Sequence, residues 1–220
     1  MHWLALHAAP SAFAHAPPGE PVLADPTSAL AWWLLRFTPL VAQVHSPQAP
    51  GALVLEVSGS ERLFGGRAAL LAQIFMPNMP VAPVQYAQGA TSLIALGRLW
   101  SASLQPGASA VPDMPADHLP VRTLQAAQPH LPTLARLGVR TWGQLRALPR
   151  GGVARRFGAE LVDALDRAYG LRPEVYPWLA LPEVFDAPLE LSASVDSAPA
   201  LLFGARRLLA QLLVLSLIHI

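Results

Sequence analysis

The chain has 220 residues, no cysteine and no lysine, so its 15 basic residues are all arginine, set against 14 acids for a formal net charge of +1. With 53% hydrophobic and 13% charged residues it can bury a core in one large or two small domains. These figures exclude a disulfide scaffold, a thiolate-ligated metal site and a cysteine nucleophile, and they argue against a disordered chain.

The run Met1 to Pro10 lacks the basic start of an export signal. The apolar run Leu208 to Ile220 is 13 residues long, against the about 20 that a membrane span needs. A cytoplasmic address without a membrane partner is therefore expected. The end of the chain, L-S-L-I-H-I, breaks off in mid-pattern and reads as an irregular or artefactual tail, so residues 215–220 are given no role.

From the N-terminus, Asp25 to Ser28 is a helix-start cluster, Ala29 to Phe37 a helix, and Pro39 its stop. Leu40 to Val44 is a short strand and Ala52 to Val57 the strongest one, followed by a turn bounded by Gly59 and Gly65-Gly66. Arg67 to Phe75 has helical spacing, Val81 to Tyr86 can pair as a strand, and Ala90 to Trp100 reads as a second helix. Alternating strands and helices favour a layered sheet domain over residues 1–118, with Ser101 to His118 as a linker or long loop.

Residues 119–172 read as helical and hold nine of the fifteen arginines. Leu131 to Leu137 is a short helix, Gly138-Val139-Arg140 a tight turn, and Thr141 caps the helix Trp142 to Leu148. Pro149-Arg150-Gly151-Gly152 is expected to break the helical run, which restarts at Val153 to Phe157. Gly158 to Tyr169 is the longest helix here, with Leu161, Leu165 and Ala168 on one face. Over 173–214 a proline-containing connector (Pro173 to Pro182) precedes a strand, Pro188 to Val195, and a helix begun by Ser197-Ala198-Pro199.

Several chemistries lack their residues. No phosphate-binding Gly-Lys-Ser/Thr loop is present, and Ser58-Gly59-Ser60 lacks the flanking glycines of a nucleophile elbow. The seven histidines do not fall at metal-ligand spacings, and His2 and His7, on or beside the first strand, read as packing positions. Glu160, Asp163 and Asp166 recur every three residues and are expected on a solvated helix face. Glu56, alone among apolar neighbours, binds magnesium poorly by itself. No catalytic residue, metal or cofactor is assigned.

The positive signal is Leu131 to Pro149, two short helices joined by Leu-Gly-Val-x-Thr, which resembles a helix-hairpin-helix module. Gly138 permits a tight turn and close approach of an oxygen to the backbone. The next helix start, with Val139, Arg140 and Thr141, is expected to present free N–H donors and a positive dipole end. Seven arginines and no acid lie between Arg122 and Arg156. Of these, Arg136, Arg140, Arg146, Arg150, Arg155 and Arg156 surround the turn, and contacts of that kind hold a nucleic-acid backbone without reading bases.

A wider resemblance joins this hairpin to Trp32 to Pro39 (W-W-L-L-R-F-T-P) and Leu55 to Gly66 (L-E-V-S-G-S-E-R-L-F-G-G). With Ala154 to Leu161 and Glu190 to Phe203, these segments resemble the Y-family DNA polymerases, more closely the ImuB-like mutasome homologues that lack catalytic carboxylates. The resemblance covers most of Ala29 to Leu213. It implies an α+β chain: a ferredoxin-like palm remnant with a shortened fingers region at 1–118, a helix-hairpin-helix thumb at 119–172, and the truncated start of a little finger at 173–214. It places the family's Asp-Glu pair on Gly51 and Ala52, beside Glu56, and the first-strand Asp near Ala5 to His7, none of which can rebuild the metal site. It also implies partners: DNA, an error-prone replicative-type polymerase, a sliding clamp and a RecA-like accessory protein. The expected function is that of a non-catalytic DNA-binding adaptor in translesion synthesis and DNA repair. The alternatives are an active translesion polymerase with displaced carboxylates and a helix-hairpin-helix module on an unrelated domain.

Overall fold

The computed structural model describes residues 1–8, 26–45, 51–77, 79–80, 84–103, 113–180, 201–202 and 204–209. The predicted strand Pro188 to Val195, most of the shortened fingers region and the tail 215–220 lie outside the described residues.

The chain folds as mixed α and β structure around a four-stranded antiparallel sheet. The elements β1 (Trp3–Ala8), α1 (Pro26–Leu35), β2 (Val41–Val44), β3 (Ala52–Glu56), α2 (Arg67–Ile74) and β4 (Val84–Gly89) follow one another as β-α-β-β-α-β. Their spatial strand order is β2-β3-β1-β4. The predicted strand at Val81 to Tyr86 is shifted: pairing to β1 starts at Val84 and runs to Gly89.

Side-chain alternation along the central strands explains the layering. Leu4 and Leu6 of β1 lie opposite Leu55 and Leu53 of β3 and meet α1 and α2 on one face. Ala5 lies opposite both Val54 and Ala87, and this other face meets α3 (Ser92–Ser103). Both central strands are covered on both faces, which is why their sequences are unbroken apolar runs. Pro26 suits the first position of α1. The Trp33 indole N–H of α1 donates to the Ile74 carbonyl at 2.9 Å and ties α1 to α2. Small residues line the α3 face: Ala5, Ala42, Ala52 and Ala87 are all buried there. At Gly89 a Cβ would stand 2.5 Å from the Ala95 nitrogen, so α3 is packed backbone-close against the end of β4.

The second core is helical. Short 3₁₀ turns at Ala116–His118, Val121–Thr123 and Gln125–His130 lead into α4 (Leu131–Arg136), α5 (Trp142–Arg146), α6 (Arg150–Phe157) and α7 (Ala159–Ala168). The first turn falls in the predicted linker, whose opening residues instead extend α3 to Ser103. The expected break at Arg150 to Gly152 is absent. Pro149 caps α6, and Gly151 and Gly152 sit inside it, because Val153 and Phe157 are drawn into the core. Gly158 stands between α6 and α7 at φ 92, a left-handed angle that favours glycine.

Helix α3 serves both cores. Ala95, Leu96, Leu99 and Trp100 face the sheet, while Ile94 joins the helical cluster. The joint is Gly97, where a Cβ would lie 3.0 Å from both Leu119 Cδ1 and Trp142 Cζ2. Trp142 is fully buried and its indole N–H donates to the Pro120 carbonyl at 3.1 Å.

The connector after α7 folds back over the sheet. The Glu174 carboxylate accepts from the N–H groups of Ser92 (3.1 Å) and Leu93 (3.2 Å) and from the Ser92 hydroxyl, so it caps α3. Burial pushes the Glu174 carboxyl above its ordinary value, against the pull of those hydrogen bonds. Tyr176 and Trp178 pack on Trp3, and the Leu179 N–H donates to the Val41 carbonyl of β2 at 2.8 Å. Residues 201–202 and 204–209 are helical, with Leu201, Leu202 and Leu209 of the predicted apolar stripe exposed. No helix among the described residues is long and apolar enough to cross a membrane.

Two substitutions test the joint by urea denaturation. Gly97→Ala forces the Trp142 ring away and costs about 1–3 kcal/mol. Trp142→Ala, which empties a filled site, costs about 3–5 kcal/mol.

Candidate nucleic-acid interface

The hairpin of α4 and α5 is built from local rules. Leu134 and Val139 are buried and hold the two helices to the core, with Gly138 between them at φ 74. A Cβ at Gly138 would meet nothing within 4 Å, so this turn faces open space. Thr141 and Gln144 form a reciprocal capping box. Gln144 Oε1 accepts from the N–H of Arg140 (2.7 Å) and Thr141 (3.2 Å), and Thr141 Oγ1 accepts from the N–H of Gln144 (3.3 Å).

This arrangement corrects one expectation. The N–H groups at the start of α5 are not free for an anion, because the chain's own side chains already take them. The N–H groups of Gly138 and Val139 are also engaged, by the Ala135 and Leu134 carbonyls. Val139, 5% exposed, is a core residue and cannot touch a ligand. An anion at this surface therefore meets guanidinium groups and not a backbone nest.

All six candidate arginines are exposed, yet they divide by partner. Arg150 makes a two-pronged contact with Asp166, at 2.6 and 2.5 Å. Arg146 lies 4.3 Å over the Tyr169 ring and 3.8 Å from Asp117, which also accepts the Tyr169 hydroxyl at 2.5 Å. Burial, reinforced by Asp117, raises the Tyr169 hydroxyl pKa. Among the described residues Arg136, Arg140, Arg155 and Arg156 form no ion pair. Arg136 reaches only Thr133 Oγ1 (3.4 Å), and Arg155 only the Gly151 carbonyl (3.2 Å). Arg156 stands 6.0 Å from the Phe157 ring. Arg155 and Arg156 occupy the last turn of α6, where its dipole favours positive charge.

The acids of α7 do not share one solvated face. Glu160 is exposed, Asp163 binds Arg167 and Arg172, and Asp166 is buried beneath Arg150. The helix rotates Asp166 toward the core because Leu161, Leu165 and Ala168 already point there.

The degenerate metal-site positions divide as well. The β1–β3 register sets Ala5 opposite Val54 and Leu6 opposite Leu53. Ala5–His7 and Gly51–Ala52 therefore meet at one end of the sheet. Ala5, Leu6 and Ala52 are fully buried there, and a Cβ on Gly51 would press within 2.7 Å of Thr27 Oγ1. Glu56 lies at the opposite end, across from Trp3, where its Oε1 accepts the Ser58 N–H (3.0 Å) and hydroxyl. It caps a turn. Among the described residues no group of three His, Asp or Glu side chains is placed to hold a metal ion.

One buried polar group was not foreseen from the sequence. His2 is 4% exposed, with Nδ1 at 2.6 Å from Glu61 and Nε2 at 3.0 Å from Gln88 Oε1. Burial would raise the Glu61 carboxyl, but hydrogen bonds from Arg67 and His2 outweigh it and hold the carboxyl below its usual range. Nothing local in the sequence links residues 2, 61 and 88.

The Arg150–Asp166 contact predicts an acid limb. The Arg150 guanidinium holds the Asp166 carboxyl below its ordinary value. Its stabilising effect is thus present above the unfolded value of about 3.9 and is lost as pH falls through the lower folded value. Asp166→Asn should flatten the decline of melting temperature on the acid side of about pH 4 and leave its slope near neutrality unchanged.

No family model matches the chain, and no solved structure matches it. Curated relatives do: Protein ImuB from each of two strains of Caulobacter vibrioides is 34% identical over 192 residues, covering 79% of this chain and 40% of the relative. The chain thus spans about 40% of the length of the curated relatives it matches. The matched stretch is long enough to take in sheet and hairpin together, and over those 192 residues this chain is an ImuB-like homologue.

Proposed function

We propose that this chain is a non-catalytic, Y-family polymerase-like adaptor that holds DNA during error-prone tolerance of DNA damage. The observation that carries the reading is the set of exposed arginines without acidic partners, Arg136, Arg140, Arg155 and Arg156, around a glycine-turned hairpin. The similarity to ImuB supports the setting. The β-α-β-β-α-β order of the sheet is that of a ferredoxin-like unit and supports reading residues 1–118 as a palm remnant. On the same reading residues 119–172 are the thumb and 173–214 the opening of a little finger. The partners would be an error-prone replicative-type polymerase, a sliding clamp and a RecA-like accessory protein.

The hairpin would bind through phosphates. Each guanidinium that neutralises a phosphate releases condensed counterions, so affinity falls with salt and hardly depends on sequence. Arg150 and Arg146 are already engaged by Asp166 and Asp117 and contribute less than the four without acids. Apolar packing at Ala5, Leu6 and Ala52 supports the loss of a metal site at the sheet end.

The second reading, an active polymerase with displaced carboxylates, needs Glu56 near the reacting end. Glu56 is instead at the far end of β3, in a turn cap.

A salt titration of duplex and primer–template binding tests the proposal. Arg140→Ala and Arg155→Ala should each weaken binding to all sequences alike and make the log–log salt slope shallower by about one. Arg150→Ala should change the slope less. Unchanged affinity in both of the first two variants sinks the reading. Magnesium-dependent primer extension that Glu56→Ala abolishes would establish the polymerase instead.

A further inference from the structure

The sheet has two outer edges, and the chain treats them differently. At β2 the returning connector supplies a partner, with the Leu179 N–H on the Val41 carbonyl at 2.8 Å. At β4 no described strand pairs on the outside. The Gln88 carbonyl is held by Arg98 Nη1 at 2.6 Å, so it points away from β1. In an antiparallel ladder outward and inward groups alternate by residue. Val84, Tyr86 and Gln88 therefore present their N–H and C=O groups outward, while Gln85, Ala87 and Gly89 pair with β1.

A cavity of about 470 Å³ lies along this edge, lined by the stretch from Tyr86 to Ala90 and by Arg67, Arg98 and Asp113. An exposed row of backbone donors and acceptors is a template for another strand, and proteins usually blunt it with a charge, a proline or a bulge. The strand Val-Gln-Tyr-Ala-Gln-Gly has none of these. The cavity walls carry a charge preference. Arg67 is 57% exposed and only its Nε is tied, to Glu61 at 3.1 Å, which leaves both terminal nitrogens facing outward. Arg98 takes the exposed carboxylate of Asp113 at 2.6 Å, and its Nε donates to the Met114 carbonyl. The chain thus already lays one carboxylate-bearing extended segment beside this edge.

We propose that the outer edge of β4 is a strand-addition site for an extended acidic peptide of a partner protein. The backbone row supplies the ladder and Arg67 selects for carboxylates. A nucleic-acid strand offers no alternating amide row to match this edge, and Asp113 repels phosphate. The site is separate from the arginines of the hairpin, so failure of one reading leaves the other standing.

The test is fluorescence anisotropy of the full chain with a labelled peptide of about eight residues alternating Val and Glu. Three comparisons accompany it: the same peptide with alternate backbone nitrogens methylated, a Val–Lys version, and the Arg67→Glu protein. The acidic peptide should bind. Backbone methylation should weaken it by about tenfold or more, since each ladder bond contributes about 1 kcal/mol. The Lys version and Arg67→Glu should each weaken it by about tenfold, with an unchanged circular dichroism spectrum showing that the variant folds. Equal binding of the methylated peptide overturns the proposal, because charge alone would then explain association. No binding of the acidic peptide overturns it. So does concentration-dependent dimerisation that the peptide fails to reverse, which would assign the edge to a second copy of the chain.

Discussion

The position of the arginine-bearing hairpin depends on one packed side chain. Trp142 opens α5, and its indole lies on Gly97 of α3, the helix that also covers the sheet. Its backbone N–H bonds the Leu119 carbonyl at 2.9 Å, and the Arg140 carbonyl next to it accepts the Val121 N–H at 2.8 Å. These bonds stitch the turn to the segment before it, while the ring fills the space that Gly97 leaves. A buried indole contributes a large apolar area and tolerates little displacement. The hairpin is thereby anchored to α3, and the exposed arginines are displayed from an anchored element and not from a free loop.

Within that frame, charge is distributed unevenly. The stretch from Arg122 to Arg156 contains no acid, but the fold brings acids from either side of it. Asp117 precedes the hairpin and Asp166 follows it, and they take Arg146 and Arg150. Ion pairs at the surface contribute little to stability. Their effect here is on availability: two guanidinium groups are oriented toward protein and four remain directed to solvent. A phosphate approaching the hairpin competes with no carboxylate at those four.

The sheet gives a parallel lesson. Its two ends differ in polarity because different pairings meet there. At the Gly51 end, backbone and small apolar side chains close together. At the Glu56 end, Ser58, Glu61, His2 and Gln88 form a hydrogen-bonded set around the N-terminal strand. The connector then adds Glu174 as a carboxylate cap on α3, doing for that helix start what Gln144 does for α5. In both cases a side chain of this protein occupies amides that would otherwise attract an anion.

Much of the architecture was legible in the residues. Leu4, Leu6, Leu53 and Leu55 alternate with Ala5 and Val54, so the central strands and their two covered faces follow from period-two patterning. The heptad-like spacing of Leu161, Leu165 and Ala168 marks α7, and glycine at 138 marks the turn. Thr141 and Gln144 already spell the capping box three residues apart, which is the local sign that the α5 amides would be taken. Other features needed the fold. Gly151 and Gly152 have poor helix propensity, and only the burial of Val153 and Phe157 keeps them helical. Asp166 looks solvated by its spacing with Glu160 and Asp163, yet it is buried beneath Arg150, sixteen positions away. His2 meets residues 59 and 86 positions distant. Periodicity and caps act over a few residues and are written in the chain itself. Which charge finds which partner, and which sheet edge stays open, is set by contacts between distant segments, and those exist only once the chain has folded.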